Sequence, residues 1–288
     1  MGNVVTLGLI QMSCGTDPER NFDKAVARIR EAASQGAQLI CLQELFRSQY
    51  FPQREDAALF ELAETIPGPG SERLAELARE LDVIILASLF EKRTAGIYHN
   101  TAVILDQEGK LSGKYRKMHI PDDPLYYEKF YFTPGDLGFR SHATRHGEVG
   151  MLVCWDQWFP EAARLTALKG AEFLFYPTAI GWLDGESDET NRAQHSAWET
   201  IQRGHAVANG VFLAAINRVG PEGALTFWGQ SFVSDPFGRI LARASDSEEE
   251  ILIVPCDLSC VEETRRNWPF LRDRRIEAYA GLSLRFDD

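Results

Sequence analysis

Residues 149–161 read VGMLVCWDQWFPE, an apolar run that leads directly into a cysteine, two tryptophans and a Pro-Glu pair. The run Val149–Val153 predicts a strand that ends on Cys154, and Pro160-Glu161 predicts the start of a helix. A cysteine at such a junction lies near backbone N–H groups that favour its thiolate. The same cysteine would also suit a buried core position, and this stretch alone leaves both interpretations open.

The two halves of the chain show the same succession of patterns. In the first half, Asp17-Pro18 predicts a helix start, Asn21–Ser34 has the apolar spacing of a helix, and Gln38–Leu42 predicts a buried strand. In the second half, the pattern predicts the helix Glu161–Lys169 and the buried strand Glu172–Tyr176. In each half a further apolar strand and a hairpin come next. The remaining predicted elements are the strands Val4–Gln11, Val83–Phe90 and Gly210–Ala215, the hairpins His99–Tyr115 and Ser231–Arg239, and a helix capped by Ser71 that ends near Leu81.

This repeat predicts the fold class. Nearly continuous apolar strands must be covered on both faces, and two sheets packed face to face with helices outside them satisfy both halves. We therefore expect an α/β protein with a four-layer αββα sandwich and an internal pseudo-twofold repeat. The polar stretches 184–192 and 245–250 are interpreted as loops, so that residues 1–288 form a single domain. The tail 267–288 carries aromatic residues among charges and is expected at a subunit interface.

Composition narrows the functional classes. The chain is 44% hydrophobic and 25% charged, as globular proteins are, and no segment approaches the ~20 apolar residues of a membrane helix. Without a basic signal segment at its start, the protein is expected in the cytoplasm. A net charge of −12 argues against binding nucleic acid and suits a small cationic substrate. The five cysteines are scattered without a CxxC pair, which predicts free thiols and no zinc site.

Three reactive side chains come after predicted strands. Glu44 lies just beyond Gln38–Leu42, Lys117 lies beyond the hairpin, and Cys154 ends its strand. Ligand sites of α/β sheets lie at such strand ends. The residue types also make chemical sense together, since a carboxylate can deprotonate a thiol and an ammonium can stabilise the oxyanion formed at a carbonyl. A structural salt bridge for Glu44 and a solvated basic turn for Lys117 remain the alternatives.

The motifs ICLQELF (40–46), GKYRKMHIP (113–121) and LVCWDQWFPE (152–161) resemble the three signature motifs of the nitrilase superfamily of carbon–nitrogen hydrolases. That resemblance implies the αββα fold, with Glu44 as general base, Cys154 as nucleophile, and Lys117 with the backbone N–H of Trp155 as oxyanion hole. It also implies that Glu128, in YYEKF, positions the substrate or assists proton transfer. No metal or organic cofactor is implied, and a homo-oligomer is expected.

The residues after the cysteine indicate a branch of this family. Enzymes that hydrolyse N-carbamoyl amino acids place arginines there, whereas this chain has Gln157 and Trp158. Together with YPTAIGW (176–182) and NWPFLRDRR (267–275), the stretch resembles the branch that hydrolyses N-carbamoylputrescine in polyamine synthesis. An ω-amidase or a β-ureidopropionase is the alternative, and a binding protein without turnover is the least favoured. The candidates for holding the substrate, chiefly its ammonium, are Trp155, Asp122, Asp123, Trp182, Asp184 and Glu186.

Overall fold

One six-stranded sheet comes almost entirely from the first half of the chain. The computed structural model describes residues 3–286. Numbered along the chain and given in order across the sheet, the strands are β15 (Glu250–Asp257), β1 (Val4–Gln11), β2 (Leu39–Leu42), β3 (Ile84–Thr94), β4 (Ile97–Leu105) and β5 (Leu111–Arg116). β1, β2 and β3 run parallel to one another, and the outer strands pair antiparallel to them.

The second six-stranded sheet repeats the first strand for strand. Its order is β6 (Ser141–Thr144), β7 (Gly147–Met151), β8 (Phe173–Thr178), β10 (Phe212–Asn217), β13 (Phe232–Ser234) and β14 (Ile240–Arg243). Here too the three strands β7, β8 and β10 are parallel and the outer ones antiparallel. The internal repeat predicted from the sequence is therefore confirmed in strand order and direction.

Helices cover the outer faces of both sheets. The helices are α1 (Pro18–Ser34), α2 (Pro69–Leu81), α3 (Glu128–Tyr131), α4 (Pro160–Ala167), α5 (Asp188–Asn209) and α6 (Ser259–Asn267). α1 and α2 pack on the first sheet, and α4 and α5 on the second. Among residues 3–286, no helix combines the length and the apolar character needed to cross a membrane.

Successive side chains of β2 point to opposite faces of the sheet, which shows why the layers form. Leu39 and Cys41 point into a core shared with Phe175 of the second sheet, whereas Ile40 and Leu42 point into a separate core beneath α1 and α2. Side chains alternate between the faces of a strand, so an unbroken apolar run supplies both cores at once. Burying each of the large aliphatic side chains contributes about 1.5–3 kcal/mol. The four-layer αββα sandwich is thus confirmed.

Side-chain caps fix where the first two helices begin. The helix start predicted at Asp17-Pro18 is confirmed: α1 begins at Pro18, and the Asp17 carboxylate accepts the N–H groups of Glu19 and Arg20, at 3.0 and 3.3 Å. Ser71 was wrongly predicted as a cap: α2 starts at Pro69, and the Ser71 hydroxyl accepts the N–H of Gly68 from inside the first turn.

The sequence analysis did not predict every element, α6 and β6 among them. The stretch 184–192 is only partly a loop, because Ser187 caps α5 by accepting the N–H of Thr190 at 3.1 Å. β15 was not predicted, although it completes the first sheet from the far end of the chain. A small third sheet, formed by β9 (Gly181–Leu183), β12 (Leu225–Trp228) and β11 (Val219–Glu222), lies beside the strand ends that carry the reactive residues.

Candidate active site

Cys154 occupies a strained turn rather than the end of a strand. β7 ends at Met151 and not at Val153, and Cys154 opens the short 3-10 helix Cys154–Trp158 with a left-handed φ of 42°. For a residue with a side chain, such a conformation costs about 1–3 kcal/mol and is typical of functional positions. The thiol is buried and donates to the carbonyl of Ala179 at 3.7 Å.

Asp156 holds this turn in place. Its Oδ2 accepts the N–H of Val153 at 2.9 Å and the hydroxyl of Tyr115 at 2.8 Å. Its Oδ1 accepts the backbone N–H of His119 at 3.1 Å. Since Tyr115 and His119 flank Lys117 in the chain, this carboxylate joins the segment of the thiol to the segment of the lysine.

The predicted catalytic residues Glu44, Lys117 and Glu128 form a buried charged cluster. The Nζ of Lys117 lies 2.8 Å from Oε1 of Glu44 and 2.6 Å from Oε2 of Glu128, and all three side chains are fully buried. Removing charges from water is costly unless they are paired in good geometry. The structure thus brings these residues together, and the solvated-turn interpretation of Lys117 is wrong.

The two carboxylate oxygens of Glu44 have different surroundings in the described part of the chain. Its Oε1 accepts from Lys117 and from the side-chain amide of Asn100, at 2.6 Å for the latter. Asn100 is oriented in turn by the hydroxyl of Ser88, which donates to its Oδ1 at 2.8 Å. Within the described residues, Oε2 of Glu44 has no hydrogen-bond partner. A buried acceptor without a partner is suited to receive a proton.

Burial and charge set the protonation of the site. Burial raises the pKa of the Cys154 thiol, the carboxylates of Glu44 and Glu128 raise it further, and Lys117 only partly opposes them. A raised pKa disfavours the thiolate that the sequence had led us to expect, and a thiol of this kind calls for a base to activate it. Burial also raises the pKa of Glu128 to about 7, against the opposing effect of Lys117 and of the Tyr50 hydroxyl, which donates to it at 2.6 Å.

The side chain of Lys117 keeps its positive charge at neutral pH. Burial alone would lower its pKa, but the neighbouring carboxylates of Glu128 and Glu44 raise the pKa above the ordinary lysine value. A permanent ammonium next to a neutral thiol suits the stabilisation of an oxyanion.

A cavity of about 490 Å³ opens onto the thiol. Its wall is largely apolar and aromatic, as small-molecule sites usually are. Gln157 adds a neutral donor: its Oε1 accepts from Trp198 at 2.9 Å, and no partner for its Nε2 occurs between residues 3 and 286. The other lining residues are Pro121, Asp123, Pro124, Tyr126, Cys154, Trp155, Trp158, Ala179, Ile180, Gly181, Leu183, Glu186, Gln194, Ala197 and Trp228.

Only some of the predicted substrate-binding residues lie in the cavity wall. Trp155, Asp123 and Glu186 line the cavity. Asp122 and Asp184 are exposed and lie outside its wall, so their predicted contact with substrate is not supported. Trp182 is also outside the wall; it packs behind it against Trp228, with ring centroids 5.7 Å apart.

Several site residues escaped the sequence analysis. Tyr50, Asn100 and Asp156 contact the charged cluster or the nucleophile turn through their side chains. The only signal in the sequence was for Asp156, a carboxylate inside the cysteine motif. Across residues 3–286, no three His, Cys, Asp or Glu side chains form a group that could hold a metal ion.

Comparisons with known proteins agree with this site. The family model described as carbon–nitrogen hydrolase matches residues 6–266. An N-carbamoylputrescine amidase from Oryza sativa subsp. japonica is 42% identical, with 98% of this chain and 95% of the relative covered. A citrullinase from Francisella tularensis is 38% identical, with 96% of each covered. The crystal structure of a carbon–nitrogen hydrolase from Helicobacter pylori G27 superposes with a TM-score of 0.96 at 48% identity, covering 99% of this chain and 100% of that one.

The chain belongs to the carbon–nitrogen hydrolase family, the nitrilase superfamily. It is accordingly a hydrolase of carbon–nitrogen bonds other than peptide bonds, similar over nearly its whole length to N-carbamoylputrescine amidases.

Proposed function

We propose that this enzyme hydrolyses N-carbamoylputrescine to putrescine, carbon dioxide and ammonia, with Cys154 as nucleophile and Glu44 as general base. The observation that carries the catalytic roles is the buried Oε2 of Glu44, which has no hydrogen-bond partner among the described residues. The cluster around it also raises the pKa of the Cys154 thiol. The names of several relatives support the substrate.

The reaction has two stages: transfer of the carbamoyl group to Cys154 with loss of ammonia, and hydrolysis of the resulting thioester. Glu44 takes the thiol proton while the thiolate of Cys154 attacks the ureido carbonyl, and Lys117 with the N–H of Trp155 stabilises the oxyanion. Glu44 returns the proton to the leaving nitrogen, ammonia departs, and an N-(4-aminobutyl)carbamoyl thioester remains on Cys154. Glu44 then activates one water molecule, and the released carbamate breaks down to putrescine and carbon dioxide. Glu128 orients Lys117 throughout, and no step calls on a metal or an organic cofactor.

The charge of the cavity supports a cationic substrate. Its carboxylates belong to Asp123 and Glu186, and no lysine or arginine appears among its described lining residues. Glu186 is half-buried, and its Oε2 accepts from the side chain of Gln194 at 3.1 Å. An ammonium at the far end of a four-carbon chain would find a carboxylate there, whereas a substrate carboxylate would find no cation.

A substrate panel tests the function. We expect ammonia release with a higher kcat/KM for N-carbamoylputrescine than for citrulline, which adds a carboxylate, and for 3-ureidopropionate, which has no ammonium. Citrulline is the second candidate because a 38% identical relative is a citrullinase. A preference for citrulline or 3-ureidopropionate would reject the proposed substrate but not the proposed catalytic residues.

Glu186 is expected to bind the substrate ammonium. Glu186→Gln should raise KM for N-carbamoylputrescine about tenfold, since a hydrogen bond between charged groups is lost. The kinetics of butylurea, which has the same carbon chain without the ammonium, should stay unchanged. Glu189→Gln, at an exposed position in the first turn of α5, is the matched control. An equal rise in KM for both substrates would exclude this role.

We also propose a cytoplasmic, single-domain protein that forms a homo-oligomer through its C-terminal tail. Large apolar side chains stay exposed there, among them Ile276 at 70% and Phe286 at 80%. Exposed apolar surface of this kind is typical of protein interfaces. Residues 287 and 288 of the predicted tail lie outside the described part of the chain. Light scattering that detects only monomers, even at high protein concentration, would contradict the assembly.

A further inference from the structure

Arg218 is a buried cation behind the catalytic cluster. It immediately follows β10, and its side chain is completely buried. The Nη2 group donates to three backbone carbonyls in one turn, those of Glu44 at 2.9 Å, Leu45 at 3.1 Å and Ser48 at 3.2 Å. The second half of the chain thus holds the backbone that carries Glu44.

The same guanidinium is fixed by a buried carboxylate. The Nη1 of Arg218 lies 2.8 and 2.9 Å from the two carboxylate oxygens of Glu222, four residues further along. Oε2 of Glu222 also accepts the backbone N–H of Tyr50 at 2.6 Å, and the Tyr50 hydroxyl contacts Glu128. The Arg218–Glu222 pair is therefore connected to the backbone of Glu44 and, through Tyr50, to the carboxylate of Glu128.

The turn that carries Glu44 needs such support. Leu45 has a left-handed φ of 49°, which is unfavourable for a leucine. A buried arginine is itself expensive, and a buried ion pair is no evidence of net stabilisation. The contribution of Arg218 is to positioning. Its planar guanidinium has several N–H donors in fixed directions and holds several acceptors at once, which the ammonium of a lysine does not reproduce.

Asn217, the residue before Arg218, supports the backbone next to the Cys154 thiol. The Asn217 side chain accepts the N–H of Ile180 at 3.1 Å and donates to the carbonyl of the same residue at 2.9 Å. Ile180 follows Ala179, whose carbonyl receives the Cys154 thiol. Two consecutive residues at the end of one strand thus hold the backbone on the base side and on the thiol side.

We propose that Arg218 is a positioning residue that aims the free oxygen of Glu44 at the Cys154 thiol by clamping the turn 44–48. It does not line the substrate cavity and acts only through this backbone. The inference rests on the proposed role of Glu44 as general base.

Arg218→Lys is the first test, because it keeps the charge and removes the fork. Small displacements of reacting groups can cost about 100-fold in rate, so kcat should fall by roughly that factor while KM for N-carbamoylputrescine changes less than about twofold. Alkylation of Cys154 by iodoacetamide at pH 7, measured by mass spectrometry, should slow in parallel, because it needs the same proton transfer but no substrate. Arg239→Lys, at an exposed arginine that pairs with Asp235 four residues away, should leave kcat and alkylation unchanged.

Two further variants keep the outcome decisive. If circular dichroism shows that Arg218→Lys does not fold, Glu222→Gln takes its place, since it retains an acceptor for Tyr50 but releases the guanidinium; a lower kcat at constant KM is expected. Unchanged kcat and alkylation in a folded Arg218→Lys or Glu222→Gln protein would overturn the proposal, as would a KM increase without a fall in kcat. Glu44→Gln separates the failures: if it retains turnover, the proposed base is wrong, whereas if it is inactive and Arg218→Lys is active, only the positioning role is wrong.

Discussion

Cys154→Ala is expected to abolish turnover. Alanine offers no nucleophile, and removal of the reacting atom from an enzyme that forms a covalent intermediate should lower kcat by at least ~10⁴-fold. Binding of N-carbamoylputrescine should persist, because the cavity wall and its carboxylates remain. Ammonia release and calorimetric binding of the substrate measure the two effects separately.

The covalent step can be observed directly. Rapid acid quench of the wild-type enzyme during turnover should give an N-(4-aminobutyl)carbamoyl adduct on the peptide that contains Cys154, detected by mass spectrometry. Cys260→Ala is the matched control, since Cys260 is a partly exposed free thiol in α6, and it should retain activity and the adduct. Full turnover by Cys154→Ala would refute nucleophilic catalysis by this residue.

Lys117→Met should remove activity and stability together. Without the ammonium, Glu44 and Glu128 would remain buried beside each other with no cation between them. Breaking a buried ion pair by removing one partner typically costs about 3–5 kcal/mol of unfolding free energy. Urea unfolding should detect that loss, and kcat should fall about 10³-fold because the oxyanion loses its charged partner.

The loss of stability should depend on pH. Lys117 opposes the rise in the pKa of Glu128, so in Lys117→Met that pKa should lie above its present value of about 7. An acid whose pKa is higher in the folded than in the unfolded state binds more protons when folded, and stability therefore falls as pH rises through that window. The deficit should be smaller at pH 5.5 than at pH 8. Lys114→Met, whose partly exposed lysine pairs with Glu91, should lose less than about 1 kcal/mol. A deficit for Lys117→Met that does not change with pH would contradict this account of the cluster.

The sequence predicted the sheets and the main reactive residues for a physical reason. Parallel strands deliver the residues beyond their carboxyl ends to one edge of the sheet. Glu44 and Cys154 each lie just past an apolar run, so face-to-face packing of the two sheets was expected to bring them close to one another. The residues that support them could not be found in this way. Arg218 holds the carbonyl of Glu44 across 174 positions of sequence, and no periodic pattern encodes such a contact.

Loop orientation limited the prediction of the substrate pocket. Asp122 and Asp123 are adjacent and chemically identical, yet only Asp123 lines the cavity. Asp184 and Glu186, two residues apart in the segment that leads to the Ser187 cap of α5, also differ, since only Glu186 lines the cavity. Composition shows that acidic groups are present there, but the backbone path decides which of them face the ligand.

The position of β15 has a consequence for synthesis on the ribosome. β1 pairs on one side with β2, and within the described residues its other edge is covered by residues 250–257, which are translated long after β1. Until they emerge, the nascent chain presents the open edge of a strongly apolar strand, the kind of surface on which chains aggregate. The first sheet, and with it Glu44 and Lys117, therefore reaches its final form only after residues 250–257 have been synthesised.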